Sequence, residues 1–457
     1  MSTHLSSGNR PSFIEPLASG DSRTKSRSAF DVACKLVISV ALVALAVVSI
    51  QQHISPIGLD VPRAGSSPLA WFFGIFGALS TVYFALTLFF ALRYRPVTAQ
   101  DDASLPTVTV IVPAYNEGSM VRVALRSALH SNYPRHKLHV IAVDDGSTDD
   151  TWHHIQTVAA AFPGRVTPVR QPKNGGKREA LRAGFLKAEG DIVVTVDSDS
   201  KLEPDAIRSL VAPFEDAEVG AVAGKVMVLN RYENFLTRIL AARFFVTFDL
   251  VRAAQSRFGA VLCTPGALSA YRRSAVMEVL EPWSTQTFLG EACTIGEDRA
   301  LTTWLLRRGL RSVYQSSAVV HTLMPTSFRP MAKMMVRWER GNVRESLVML
   351  PVLTTKWRTR DRLFPTLEIL LDLIQYPVAY VALAIGLRHL FASPFDFVRL
   401  AGAIAFAALV QSLYSLRSER GTDFLYGVAY AFVAFFSLQW IFPYSCLTVR
   451  NGRWLTR

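Results

Sequence analysis

Two apolar blocks, at about residues 33–93 and 364–448, bracket a stretch that reads like a soluble protein. A bilayer core takes roughly 20 apolar residues in a helix. Val37 to Ile50, extended back towards Ala33, nearly reaches this length, and Leu69 to Leu92 reaches it fully. Further spans are expected at about 364–387, 398–416 and 424–447. The chain is therefore expected to fold as membrane helices around an inserted globular domain. Its composition, 50% hydrophobic and 19% charged, carries the apolar excess in those blocks.

Charge sets an orientation. Arg23, Lys25, Arg27 and Lys35 outnumber the single Arg63 of the connecting loop. The positive-inside rule then puts the N-terminus, and after two crossings the central domain, in the cytoplasm. Three full crossings in the second block would leave Arg450, Arg453 and Arg457 outside, against the same rule. One late segment is thus expected to be re-entrant or interfacial, with Pro377 and Pro443 marking the candidates. The expected divisions are a disordered cytoplasmic tail (1–30), two transmembrane helices (31–93), a cytoplasmic domain (94–325), interface helices (326–360), C-terminal transmembrane or re-entrant helices (361–448) and a cytoplasmic tail (449–457). The first apolar run lacks a clear small-residue cleavage site, which favours a retained anchor in a multi-pass inner-membrane protein.

The net charge of +13 does not point to nucleic acid, because no run of Lys and Arg is interleaved with exposed aromatics. An anionic membrane surface and an anionic substrate account for it better. Cys34, Cys263, Cys293 and Cys446 lie far apart, without CxxC or a His at zinc-ligand spacing, so neither a disulfide framework nor a structural metal is supported.

Between the blocks, short apolar runs alternate with helical patterns: Val108 to Val112 then Val121 to Leu129, Leu138 to Val143 then Thr151 to Ala161, Ile192 to Val196 then Asp205 to Phe214. This alternation predicts an α/β domain with a mostly parallel sheet covered on both faces. Such sheets bind nucleotides at the carboxyl ends of their strands. There the sequence places Pro113-Ala114-Tyr115-Asn116-Glu117, Asp144-Asp145-Gly146-Ser147 and Asp197-Ser198-Asp199. Each alone is an ordinary turn or cap. Three strands delivering carboxylates to one edge need a compensating cation, and a hard divalent ion shared with substrate phosphates supplies one. Lys177 opens a helix after Gly175-Gly176, where backbone N–H groups and a cation favour phosphate. The GxxxxGK[ST] spacing of a Walker loop is absent.

On these strand-end acids the chain resembles the inverting family-two glycosyltransferases. The resemblance implies a GT-A type domain, UDP-sugar donors, and Mg2+ or Mn2+. It assigns Ala114, Tyr115, Glu117 and Lys177 to the donor side, Asp145 to the uracil, Asp197 to the ribose and diphosphate, and Asp199 to the metal. In Gly296-Glu297-Asp298-Arg299, at the start of a helical stretch, it implies that Asp298 is the catalytic base, with Glu297 and Arg299 beside the acceptor.

Further motifs resemble the hyaluronan synthases and the rhizobial chitin-oligosaccharide synthases: Ala253-Ala254-Gln255-Ser256, Cys263 to Arg273, Gln286 to Gly290, Tyr314-Gln315-Ser316, Arg337-Trp338, Arg344-Glu345-Ser346 and, more weakly, Trp454 to Arg457. The resemblance implies that Arg337 faces the diphosphate and that Cys263 and Trp338 meet the growing glycan. The family's Gln-x-x-Arg-Trp reads Met334-Met335-Val336-Arg337-Trp338 here, a departure that bears on processivity. Hyaluronan synthesis from UDP-GlcNAc and UDP-glucuronate is the expected activity. The alternatives are chitin-oligosaccharide or poly-GlcNAc synthesis from UDP-GlcNAc alone, and a non-processive transfer to a lipid-linked acceptor. Glu233 to Gln255 and Met331 to Leu350, apolar with interspersed Arg, are expected as amphipathic helices at the bilayer interface. His321 stands alone without a metal partner.

Overall fold

The computed structural model describes residues 29–51, 67–99, 101–353, 362–390, 394–417 and 421–452. The expected tail residues Arg23, Lys25 and Arg27, the loop residue Arg63, and the Arg453 to Arg457 segment lie outside these.

The central domain is built on a sheet whose strands are β1 (Val108–Ala114), β2 (Leu138–Asp144), β3 (Val166–Arg170), β4 (Ile192–Thr195), β5 (Ser200–Leu202), β6 (Val219–Val228), β7 (Ser269–Arg272) and, after a small hairpin of β8 (Thr287–Phe288) and β9 (Glu291–Ala292), β10 (Arg311–Thr322). The order across the sheet is β3-β2-β1-β4-β7-β6-β10-β5. Only β7 and β5 run against the rest. The expected three strand–helix pairs are present, and β1 shows why they form. All seven of its residues are buried. Val108, Val110 and Val112 join Val121, Ala124 and Leu125 on one side, while Ile111 meets Ala180 and Leu181 on the other. A strand covered on both faces needs apolar residues at every position.

The chain passes from β1 to β2 and β3 in one direction and to β4 in the other, so the β1/β4 junction is where the strand order reverses. Ligands of open α/β sheets lie at the carboxyl ends beside such a junction. A register shift in β10 between Gln315 and Val319 lets its last residues pair with β5, with Thr322 opposite Ser200.

The two segments expected at the interface are helical but largely packed within the protein. Phe235–Phe245 and Val251–Arg257 form one continuous helical run through a π-helical turn, Val246–Leu250. In the helix Phe328–Leu353, Met331, Met334, Met335, Val336, Arg340 and Arg344 are all buried.

Among the described residues, three helices are long and apolar enough to cross a membrane: Ala29–Val48, Trp71–Arg93 and Phe397–Arg417. The helix Leu363–Leu390 continues through Pro377. The expected span 424–447 is instead two helices, Leu425–Ser437 and Ile441–Leu447, bent by 52°. Both ends of this pair touch the central domain or its neighbours. Before it, Asp423 pairs with Arg231 at 2.7 Å and with Lys35 at 2.5 Å. After it, Arg340 donates to Thr448 Oγ1 at 3.0 Å, and Thr294 Oγ1 donates to the Gly452 carbonyl at 2.6 Å.

Candidate active site

The loops leaving β1 and β2 fasten each other. The Asp145 N–H donates to the Ala114 carbonyl at 2.9 Å. Asn116, with φ 52°, donates its N–H to Ser147 Oγ at 3.0 Å, and the Glu117 N–H donates to Thr151 Oγ1 at 2.8 Å. Asp145 is buried, and its two carboxylate oxygens accept the N–H groups of Gly175 at 2.9 Å and Gly176 at 2.8 Å. Burial pushes its pKa up to about 6, partly opposed by those two donors. Gly146, at φ +71°, is required here because a Cβ would lie 2.6 Å from the Lys173 carbonyl carbon. A cleft of about 520 Å³ opens beside Gly146, Ser147, Thr148 and Arg170.

Gly176 starts the helix Lys177–Lys187, and this start delivers Lys177 to the second cluster. Its Nζ lies 2.5 Å from Asp197 Oδ1 and 3.0 Å from Glu297 Oε1. Burial works against the ammonium, but Asp197, Glu297 and Asp298 outweigh it and raise its pKa. Gly266 makes room, since a Cβ there would sit 2.3 Å from Nζ.

Glu297 and Asp298 open the helix Glu297–Arg307. Asp298 Oδ2 accepts the Gly266 N–H at 3.1 Å, and Oδ1 accepts its neighbour Arg299's N–H at 2.7 Å. Burial would raise the pKa of both acids. For Glu297, 3% exposed, Lys177 reverses the effect, Arg337 adds to it, and the carboxyl stays below its ordinary value. For Asp298, burial and then the Glu297 charge win, and its pKa is raised. The pair is thus split into a committed carboxylate and a weaker acid suited to exchanging a proton.

Asp199 Oδ1 lies 3.3 Å from Thr322 Oγ1, a contact set by the pairing of β5 with β10. Among the described residues no group of three or more His, Cys, Asp or Glu could hold a metal ion by itself.

A cavity of about 1250 Å³ runs from these acids to the apolar helices, where Tyr83, Phe84, Gln375, Tyr376, Phe406 and Tyr430 line it. Among its walls five cations (Lys177, Arg243, Arg252, Arg299, Arg337) face six carboxylates (Asp197, Asp199, Glu297, Asp298, Glu339, Glu368). Trp338 stands on its wall with Phe244 and Phe248, ring centroids 6.2 and 6.4 Å away, and with Arg243 over its face at 5.7 Å.

Residues 106–341 match the family described as Glycosyltransferase like family 2. The chain belongs to that family. An N-acetylglucosaminyltransferase of Rhizobium leguminosarum bv. viciae is 32% identical over 390 residues, covering 84% of this chain and 90% of its own. One from Mesorhizobium japonicum is 33% identical over 387 residues, with the same two coverages. Among solved structures, the mannosyltransferase PcManGT from Pyrobaculum calidifontis in complex with GDP-Man and Mn2+ superposes with a TM-score of 0.52. Its identity is 22%, over 82% of this chain and 97% of that one, a likeness of fold. The chain is therefore a glycosyltransferase with a GT-A type domain, as its sequence suggests.

In this glycosyltransferase the sequence-predicted residues fall into two groups. Lys177, Asp197, Asp199, Cys263, Glu297, Asp298, Arg299, Arg337 and Trp338 share the large cavity. Ala114, Tyr115, Glu117 and Asp145 lie in the fastened β1 and β2 loops. Two of the acceptor-side expectations take on other contacts. Arg299 donates to Asn342 Oδ1 at 3.1 Å and Ser346 Oγ at 2.9 Å, tying its helix to Phe328–Leu353. Glu297 is the partner of Lys177. Burial pushes the Cys263 thiol up to about 12, so it is not a nucleophile at neutral pH. His321 bonds Glu203 at 3.0 Å, away from the cavity. In sequence Gly266 appears only within the motif Cys263 to Arg273, with no role of its own, although Pro265-Gly266 is a turn signal. The sequence reading passes over Arg252, whose placement depends on a π-helical turn that no residue pattern announces.

Proposed function

We propose that the chain is an inverting transferase that uses UDP-GlcNAc to extend a β-linked N-acetylglucosamine oligomer and feeds the product into the cavity between its apolar helices. The observation that carries this reading is that cavity: it joins the acids to the apolar helices, and its walls balance five cations against six carboxylates. A glycan with a carboxylate in every disaccharide would meet no net positive charge there, whereas a neutral one meets none of that penalty. The rhizobial relatives carry the name N-acetylglucosaminyltransferase. Hyaluronan synthesis, the first expectation from sequence, is supported less well than this alternative.

Asp298 takes the proton of the acceptor hydroxyl as that oxygen attacks the anomeric carbon. The bond from that carbon to the diphosphate breaks in the same displacement, which inverts the centre. The fit to a divalent metal rests on donor chemistry: Asp197 and Asp199 present hard oxygens on one short turn of the cavity wall, and Mg2+ or Mn2+ bound with substrate phosphates needs only one or two carboxylates. When bound, the cation supplies charge neutralisation to the departing diphosphate. Lys177 and Arg337 are cations beside the same position, and Asp145 beside its cleft is placed to accept from the uracil imide.

The contacts at both ends of the bent helix pair support a topology with an even number of crossings. Leu425–Ser437 rises only about 20 Å, short of a bilayer core of about 30 Å. The pair enters and leaves on the side of the central domain; with the 28-residue helix Leu363–Leu390 taken as a crossing beside the three apolar helices, this gives four crossings and one re-entrant element. Arg450 then sits with the central domain on the cytoplasmic side, in agreement with the positive-inside rule.

Purified protein in detergent with magnesium or manganese, given UDP-GlcNAc alone, is expected to release N-acetylglucosamine oligomers that sizing resolves. A product formed only when UDP-glucuronate is also present would establish hyaluronan synthesis instead. A single sugar added to a lipid would refute chain extension. The Asp145 assignment makes a separate prediction. UDP affinity by calorimetry is expected to weaken below pH about 6, where the carboxyl takes up a proton and loses an acceptor. A flat profile from pH 5 to 7 would count against its contact with the base.

A further inference from the structure

The helix Val251–Arg257 carries a cation that the mechanism above does not use. Arg252 is 6% exposed, lies on the wall of the large cavity, and stacks its guanidinium 4.1 Å from the Phe248 ring centroid. Its NH1 has no hydrogen-bond partner among the described residues. A buried donor left unmade costs about 1–3 kcal/mol, more when charged. Such a group persists where a ligand completes it. The π-helical turn Val246–Leu250 immediately before it brings Phe248 and Arg252 onto the same cavity wall.

Three neighbours locate this donor on the acceptor side. The Cys263 side chain hydrogen-bonds the Arg252 guanidinium, and the Asp298 charge acts on it. Cys263 begins the segment that reaches Gly266, whose N–H holds Asp298. One turn along the same helix, Gln255 donates from Nε2 to Glu368 Oε1 of the helix Leu363–Leu390. The wall beyond the base is therefore a polar patch with one guanidinium donor left unmade. A planar fork of N–H groups fits a planar oxygen acceptor better than a hydroxyl. On a neutral aminosugar that acceptor is the acetamido carbonyl, and on a uronic acid it is the carboxylate. The balanced cavity charge favours the first.

We propose that Arg252 binds the acetamido carbonyl of the acceptor sugar and makes transfer depend on N-acetylation. This rests on the reading of the chain as an N-acetylglucosamine-extending enzyme. NH1 donates to the carbonyl oxygen, and the Phe248 ring fixes the guanidinium plane. The contact orients the acceptor so that its hydroxyl faces Asp298.

The test measures transfer from UDP-GlcNAc to chito-oligosaccharides whose terminal sugar is N-acetylated, de-N-acetylated, or replaced by glucose or glucuronate. The purified full chain is compared with Arg252→Met and Arg252→Lys. The unaltered chain is expected to favour the N-acetylated terminus about 10–100-fold in kcat/KM, the effect of one charge-assisted hydrogen bond. In Arg252→Met that preference collapses through acceptor KM, while UDP affinity by calorimetry holds. Arg252→Lys keeps a buried cation without the fork and is expected to keep part of the preference. It carries the test if the methionine variant does not fold. Preference retained undiminished in either folded variant overturns the role of Arg252. A glucuronate preference that depends on Arg252 also overturns the acetamido assignment. No transfer by the unaltered chain to any of these acceptors refutes the proposed function itself.

Discussion

Asp298→Asn is expected to lower kcat about 10²–10⁴-fold, the usual contribution of a positioned general base, while UDP binding survives. The geometry makes the loss larger than removal of a charge alone. Each Asp298 oxygen accepts a backbone N–H, from Gly266 at 3.1 Å and from Arg299 at 2.7 Å. An amide can accept only one of them and must turn its NH₂ towards the other, leaving two donors face to face. The asparagine variant is thus expected to loosen the Gly266 turn as well as lose the base. The acid limb of kcat/KM against pH in the unaltered chain provides a second readout. Asp298 acts as a base only when ionised, and burial and Glu297 raise its pKa. Activity is therefore expected to fall with decreasing pH at a point above the ordinary aspartate value of about 3.9. Calorimetry with UDP distinguishes this from a binding defect: if Asp298→Asn abolishes UDP affinity, the residue serves the donor and another group is the base. Glu297→Gln is the informative neighbour, because it removes a partner of Lys177 and is expected to raise donor KM before it affects kcat.

The parts of this architecture written locally in the chain are legible in its sequence. β1, β2 and β4 could be read because strands covered on both faces must be apolar at every position, and their acids stand where the strands end. The helix Thr151–Ala161 has the predicted bounds. β3 escaped because it lies at the sheet edge with alternating exposure and contains Pro168. β6, β7 and β10 escaped because their pairing joins residues far apart in sequence, two of those pairings being antiparallel and the third shifted in register. The helix Phe328–Leu353 shows a related limit of the sequence. Its interspersed Arg residues read in sequence as one face of an amphipathic interface helix, yet Arg344 donates to the Ile295 carbonyl at 2.5 Å and Arg340 to Thr448. A charged side chain on an apolar helix can face water, lipid headgroups or a buried acceptor, and only tertiary contacts decide which. The crossing parity shows the converse. Charge counting raises a contradiction that hydropathy cannot resolve, and the 52° bend with contacts at both ends is the feature on which the proposed re-entrant element rests.

Lys177→Met is expected to raise donor KM at least about 100-fold and to lower thermal stability, because breaking a buried ion pair leaves uncompensated charge worth about 3–5 kcal/mol. Lys177 is the cation in contact with Asp197 at 2.5 Å and Glu297 at 3.0 Å, and its charge also acts on Asp298. Without it, burial dominates at Glu297, and that carboxyl is expected to take up a proton nearer neutrality. Its charge is then lost as the leading electrostatic cause holding the Asp298 pKa up. Residual turnover in Lys177→Met should accordingly show its acid limb displaced to lower pH, the opposite of what simple removal of a cation beside a carboxylate would give. Arginine is not expected to rescue. The ammonium lies against the Gly266 backbone, so closely that a Cβ would come within 2.3 Å, and a guanidinium is wider than the space. By the same geometry Gly266→Ala should displace Lys177 and reproduce the donor defect without changing any charge. An unchanged donor KM in both Lys177→Met and Gly266→Ala would show that this contact braces the helix starts of Lys177 and Glu297 against each other and takes no part in holding the diphosphate.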